Sequence, residues 1–138
     1  MTAYNIKQAK KAFHPLKRAV MRQFGDSASF YESVPDIVNY GASGGVNGFI
    51  WYSDTVPFAK RNKAKIMQCL QELSSDCGES IISMLQHWTC FKGMSQWGIM
   101  DGLHNPKSDN KTTVYNGLAW YALEDVARVV YDMGCNDE

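Results

Sequence analysis

Metal-binding spacing is missing from this chain. Its four cysteines, Cys69, Cys77, Cys90 and Cys135, include no C-x-x-C pair, and its three histidines, His14, His87 and His104, lie far apart in sequence. The usual zinc patterns are therefore excluded, and no metal or other cofactor is expected. No apolar run approaches the roughly 18 residues of a membrane-spanning helix. No secretory leader pattern is visible, so a reduced, cytoplasmic setting is expected, with the cysteines as small core residues. An excess of charge of either sign is also lacking: the net charge is +0. A DNA mimic should be strongly acidic and a general nucleic-acid binder basic, and the whole chain is neither.

What the chain does have is a core. Its 138 residues, 45% of them hydrophobic, suit a single domain over 1–138 that folds without staples. Charge is segregated within it. Residues 1–25 carry Lys7, Lys10, Lys11, Lys17, Arg18 and Arg22 and no acid, whereas residues 112–138 carry Glu124, Asp125, Asp132, Asp137 and Glu138 against Arg128. Residues 1–13 read as a frayed basic arm, the one route by which nucleic acid would be held.

The densest local signal is YGASGGVNGFIWYSDTVPFAKRN, from Tyr40 to Asn62. Gly41, Gly44, Gly45 and Gly48 make a tight turn or admit a ligand close to the backbone. Phe49 to Tyr52 are aromatic or β-branched and predict a strand. Pairing it with Ile37–Tyr40 gives a β-hairpin that needs helical cover. Ser53, Asp54 and Thr55 offer helix caps, and Pro57 suits a first helical turn. The glycine loop is not a phosphate loop: it precedes its strand, lacks G-x-G-x-x-G, and no GK[ST] follows. Ser43 sits in G-x-S-x-G, but no helix follows it directly, so the nucleophile-elbow context fails.

This stretch, together with NGLAWYALEDVARVVYD from Asn116 to Asp132, resembles a family of small uncharacterised proteins of bacteriophages and mobile elements. The resemblance covers most of the chain from about Phe30 onward. It implies a phage, prophage or plasmid origin and a bacterial host cytoplasm. It brings no activity to assign.

Helices account for the rest. Leu16, Val20 and Phe24 form a stripe from Pro15, where the chain should break from a short first helix, and Gly25 should close the second in a left-handed cap. A helix from about Thr55 to Ser74 places Phe58, Ile66, Cys69, Leu70 and Leu73 on one arc, interrupted by Asn62, whose amide needs partners. Residues 79–88 and 95–103 predict shorter helices, the latter with Trp97, Met100 and Leu103 inward. The clearest helix spans about Thr113 to Met133, with Trp120, Glu124 and Tyr131 together on one flank. The expected architecture is α+β: mainly helical, four or five helices around a short β-hairpin.

No nucleophile–base pair stands out, so the reading leans away from an enzyme. Asp54 and Glu124 would form an acid–base pair only if they met in a cleft. The expected role is that of an accessory protein binding a host protein, with inhibition of a host defence system as one outcome. Trp51, Tyr52, Asp54, Arg61, Trp120, Glu124 and Tyr131 would be its anchors, since aromatics and arginine dominate binding hot spots. The alternative is a small-ligand or nucleotide module, possible as an enzyme, using Gly41, Ser43, Gly44, Gly45 and Gly48 with Asp54, Asn62 and Arg61. Nothing in the residues specifies oligomeric state.

Overall fold

A computed structural model of the chain describes residues 10–25, 30, 34–35, 37, 52–86, 91 and 93–130. Among these residues there are six helices and no strand: α1 (Lys10–Phe24), α2 (Tyr52–Arg61), α3 (Lys63–Cys77), α4 (Ile81–Leu85), α5 (Gln96–His104) and α6 (Lys111–Val130). The described fold is all-α, which corrects the α+β expectation. Ile37, the expected start of the first strand, is helical, and Tyr52, the expected end of the second, opens α2. Strand propensity at Tyr52 yields to the residues after it. Asp54 falls in the first turn of α2, where a negative charge is favoured. Phe58 and Ala59 then bury against the core. The glycine loop and Phe49–Trp51 lie outside the described residues.

Phe30, Val34 and Ile37 are helical and fully or nearly buried. Their spacing is i, i+4, i+7, a helical stripe.

Helix α1 runs unbroken through Pro15. Proline has no N–H to give the Lys11 carbonyl, yet Phe13 and Leu16, on either side of it, are both fully buried. Packing on both sides outweighs the one lost bond. Gly25 does not take a left-handed cap; among the described glycines only Gly78 and Gly93 have positive φ. Its N–H bonds the Met21 carbonyl at 2.9 Å, and a Cβ there would lie 2.5 Å from that oxygen. Glycine is required at this position by close approach.

The predicted helix across residues 55–74 is two helices meeting at Asn62. The hinge is mild: Asn62 N bonds Phe58 O at 3.0 Å and Ile66 N bonds Asn62 O at 3.0 Å. The Asn62 side chain donates from Nδ2 to the same Phe58 carbonyl at 3.0 Å. Its amide is thus satisfied by its own chain one turn back. Gly78, at φ 74, closes α3 with its N–H on Ser74 O.

Helix α6 is the axis of the molecule. It packs most extensively on α2, and also contacts α5, α1 and α3. Every residue from Val114 to Ala127 is buried. Two contacts let neighbours close in. A Cβ on Gly102 of α5 would lie 2.5 Å from Val114 Cγ2, and one on Gly117 would lie 2.5 Å from the Phe91 ring. Thr55 of α2 donates from Oγ1 to Asn116 Oδ1 of α6 at 2.7 Å, a buried polar bond inside an otherwise apolar contact.

Candidate functional site

Helix α5 presents the most exposed apolar side chains of the described molecule. Ser95 caps it, its Oγ accepting from Gly98 N at 3.0 Å. Gly98, Ile99, Gly102 and Leu103 are buried, facing the core. The opposite face carries Trp97, 72% exposed, and Met100, 50% exposed. Trp97, Met100, Asp101 and His104 follow at helical spacing and form one outward stripe. With Asn105 they line a shallow groove of about 260 Å³. Trp97 and Met100, expected inward, therefore point out. Gly102 decides this: where α5 lacks a side chain, it lies against Val114 of α6.

The groove floor is well anchored. Lys63 Nζ donates to Leu103 O at 2.6 Å, tying the end of α5 to α3. The same ammonium lies 5.4 Å from the Tyr115 ring centroid. Gln86 Nε2 donates to Met94 O at 2.9 Å and fixes the entry to α5. Beyond His104 the chain turns back through NPKSDN. Asp101 there accepts from Asn105 Nδ2 at 3.1 Å and from Ser108 Oγ. The bonds from Ser108 and then Asn105 hold the Asp101 carboxyl below its ordinary range, so it stays ionised. The stripe thus joins an aromatic ring, a thioether, a fixed negative charge and an imidazole on a rigid support.

The anchors expected from the sequence are scattered. Trp120 is 6% exposed and Glu124 8%, both inside the molecule. They have no open flank to occupy, because α6 is enclosed on all sides. Tyr131, Trp51 and the glycine loop with Gly41, Ser43, Gly44, Gly45 and Gly48 lie outside the described residues. Tyr52 and Asp54 begin α2, whereas Arg61 ends it and Asn62 follows. The seven residue steps from Asp54 to Arg61 span about 10 Å of helix. Asp54 is thus at the opposite end of α2 from the Arg61–Asn62 pair. Arg61 is exposed, with Nη2 donating to Gln23 Oε1 of α1 at 2.8 Å.

A second polar feature lies within the core. Asp125 is 4% exposed and its Oδ2 has no hydrogen-bond partner. Burial is the main force raising its carboxyl to about 7; the polar Tyr121 hydroxyl and the charge of Arg128 oppose the rise. Burial, reinforced by Asp125, lifts Glu124 to about 8, against Arg128. The charges that act on Glu124 stand on its own helix, so an acid–base pair with Asp54 is not what perturbs it. Neither carboxyl lines the α5 groove. Among the described residues no three or more His, Cys, Asp or Glu side chains converge as a metal site. None of their helices is long and apolar enough to cross a membrane.

Sequence reasoning missed Trp97 as an anchor, although a signal existed. Gly98 and Gly102 are four apart, which marks the close-packed side of α5 and leaves Trp97 away from it. Comparison with known proteins adds a family. Residues 14–134 match the family model of a domain of unknown function, DUF7222. No curated protein and no solved structure matches the chain.

Proposed function

Because the chain belongs to the family of DUF7222, a domain of unknown function, we propose its role from its own surface: a non-enzymatic protein that binds another protein through α5. The observation that carries this reading is the exposed Trp97–Met100 pair on a braced helix. Exposed tryptophan is uncommon away from binding surfaces, and it is among the strongest hot-spot residues. A rigid support lowers the ordering cost of association.

The resemblance to small phage and mobile-element proteins makes a bacterial host protein the partner, and interference with host defence the consequence, in this reading. A photo-crosslinking amino acid at Trp97, introduced into cells of the native host, tests it. The expected result is a discrete adduct with one protein. Purified, that protein should bind the wild-type chain, and bind Trp97→Ala at least about tenfold more weakly, as a hot-spot loss requires. Equal binding by wild type and Trp97→Ala would overturn the assignment of this face.

A further inference from the structure

A different surface, independent of α5, carries a ligand chemistry. Ala19, Arg22 and Gln23 of α1 meet Phe58, Arg61 and Asn62 around a groove of about 200 Å³. Ala19 and Phe58 are buried and form its floor, while the guanidinium residues Arg22 and Arg61 are exposed on its rim. Gln23 accepts from Arg61 and so orients that guanidinium. Among the described residues neither arginine meets a carboxylate. Helix α1 contains no acid at all, and in α2 the only acid, Asp54, stands at the far end. Arg18, Lys60 and Lys65 lie within four residues of one or other arginine along the chain; so does Asp26, which lies outside the described residues.

The bland explanation is that Arg22 and Arg61 offset the helix C-termini that they occupy. Magnitudes argue against this as the whole account. Each helix end contributes roughly −0.5 of a charge, about −1 for the two, against two full guanidinium charges. Counted over the described residues, a net positive groove remains, in a protein whose total charge is +0. Guanidinium forks match the oxygens of a phosphate in pairs. The volume is below the roughly 300–1,000 Å³ of pockets that enclose a whole ligand. It suits a phosphate head whose remainder projects into solvent.

We propose that the Arg22–Arg61 groove binds the terminal phosphate of a small phosphomonoester, with both guanidiniums on the phosphate oxygens and the amides of Gln23 and Asn62 beside them. Isothermal titration of the full chain tests this, at fixed ionic strength, with four probes: inorganic phosphate, AMP, adenosine and a short single-stranded oligonucleotide without terminal phosphates. Phosphate and AMP should bind saturably and adenosine should not. Arg22→Gln and Arg61→Gln should each weaken AMP by about tenfold or more, the worth of a charge-assisted hydrogen bond. Arg18→Gln removes the same charge one turn away, outside the groove, and should cost less than about threefold. All three sites are exposed, so circular dichroism should match wild type. Three results would overturn the proposal: no saturable binding of phosphate or AMP, an Arg18→Gln loss as large as that of Arg22→Gln, or binding of the oligonucleotide alone.

Discussion

At the scale of single residues, the Thr55–Asn116 bond shows how one polar contact is tolerated inside the core. Thr55 is fully buried, and its hydroxyl meets the Asn116 carbonyl oxygen across the α2–α6 contact. Thr55→Val keeps the shape but removes the donor. Urea denaturation should show a loss of about 1–3 kcal/mol, the cost of a buried acceptor left alone. Thr55→Val with Asn116→Leu should recover much of that loss, because neither partner is then stranded. Little of this was legible in the sequence. Thr55 read as one of three possible caps; only the packed structure turns it toward α6. Asn62 was legible as an amide in need of partners, but its partner is Phe58 O, and nothing local distinguishes that from a ligand contact.

At the scale of elements, α5 and α6 approach through Gly102. A Cβ there would lie 2.5 Å from Val114 Cγ2 and 2.9 Å from the Asn110 carbonyl oxygen, and backbone yields little. Gly102→Ala should therefore destabilise by about 1–3 kcal/mol through overpacking, less the roughly 1 kcal/mol gained in helix propensity. Adding Val114→Ala should relieve part of the clash. Trp97→Ala, on the opposite face, should leave the denaturation midpoint within about 0.5 kcal/mol of wild type, as expected of an exposed side chain. The existence of the helices was readable from periodicity. The expected spans 55–74, 95–103 and 113–133 fall close to α2–α3, α5 and α6. The hairpin was not, because strand propensity in four aromatic and β-branched residues is a local preference that tertiary packing overrides at Tyr52. For α6, the signal was present but discounted. Thr112 to Leu123 contains no charge, and a helix apolar all round is a buried one. That pattern puts Trp120 inside.

At the scale of the whole molecule, α6 carries two carboxyls into the interior. Their folded pKa values, about 8 for Glu124 and about 7 for Asp125, exceed the ordinary 4.5 and 3.8. The folded state therefore holds more protons than the unfolded one between those limits, and the slope of unfolding free energy with pH is negative there. Stability should be fully present below about pH 4 and fall progressively as pH rises toward 8, by several kcal/mol in order of magnitude. Among the described residues, the groups acting on the pair are Tyr121 and Arg128, both on α6. Urea midpoints at pH 5, 6.5 and 8 should decline in wild type and decline less steeply in Asp125→Asn, whose amide has no proton to lose while Glu124 still titrates. A profile rising over that range would contradict the buried placement of the pair.

The enclosure of α6 has a consequence for how the chain is made. It is the last of the described helices to leave the ribosome, yet the apolar faces of α1, α2, α3 and α5 all close upon it. Until translation has passed Val130, α2 and α5 lack the helix on which each packs most, although α1 and α3 can already meet. The nascent faces of α2 and α5 are thus open to chaperones and proteases until α6 has emerged, and the fold becomes resistant only once that helix is in place.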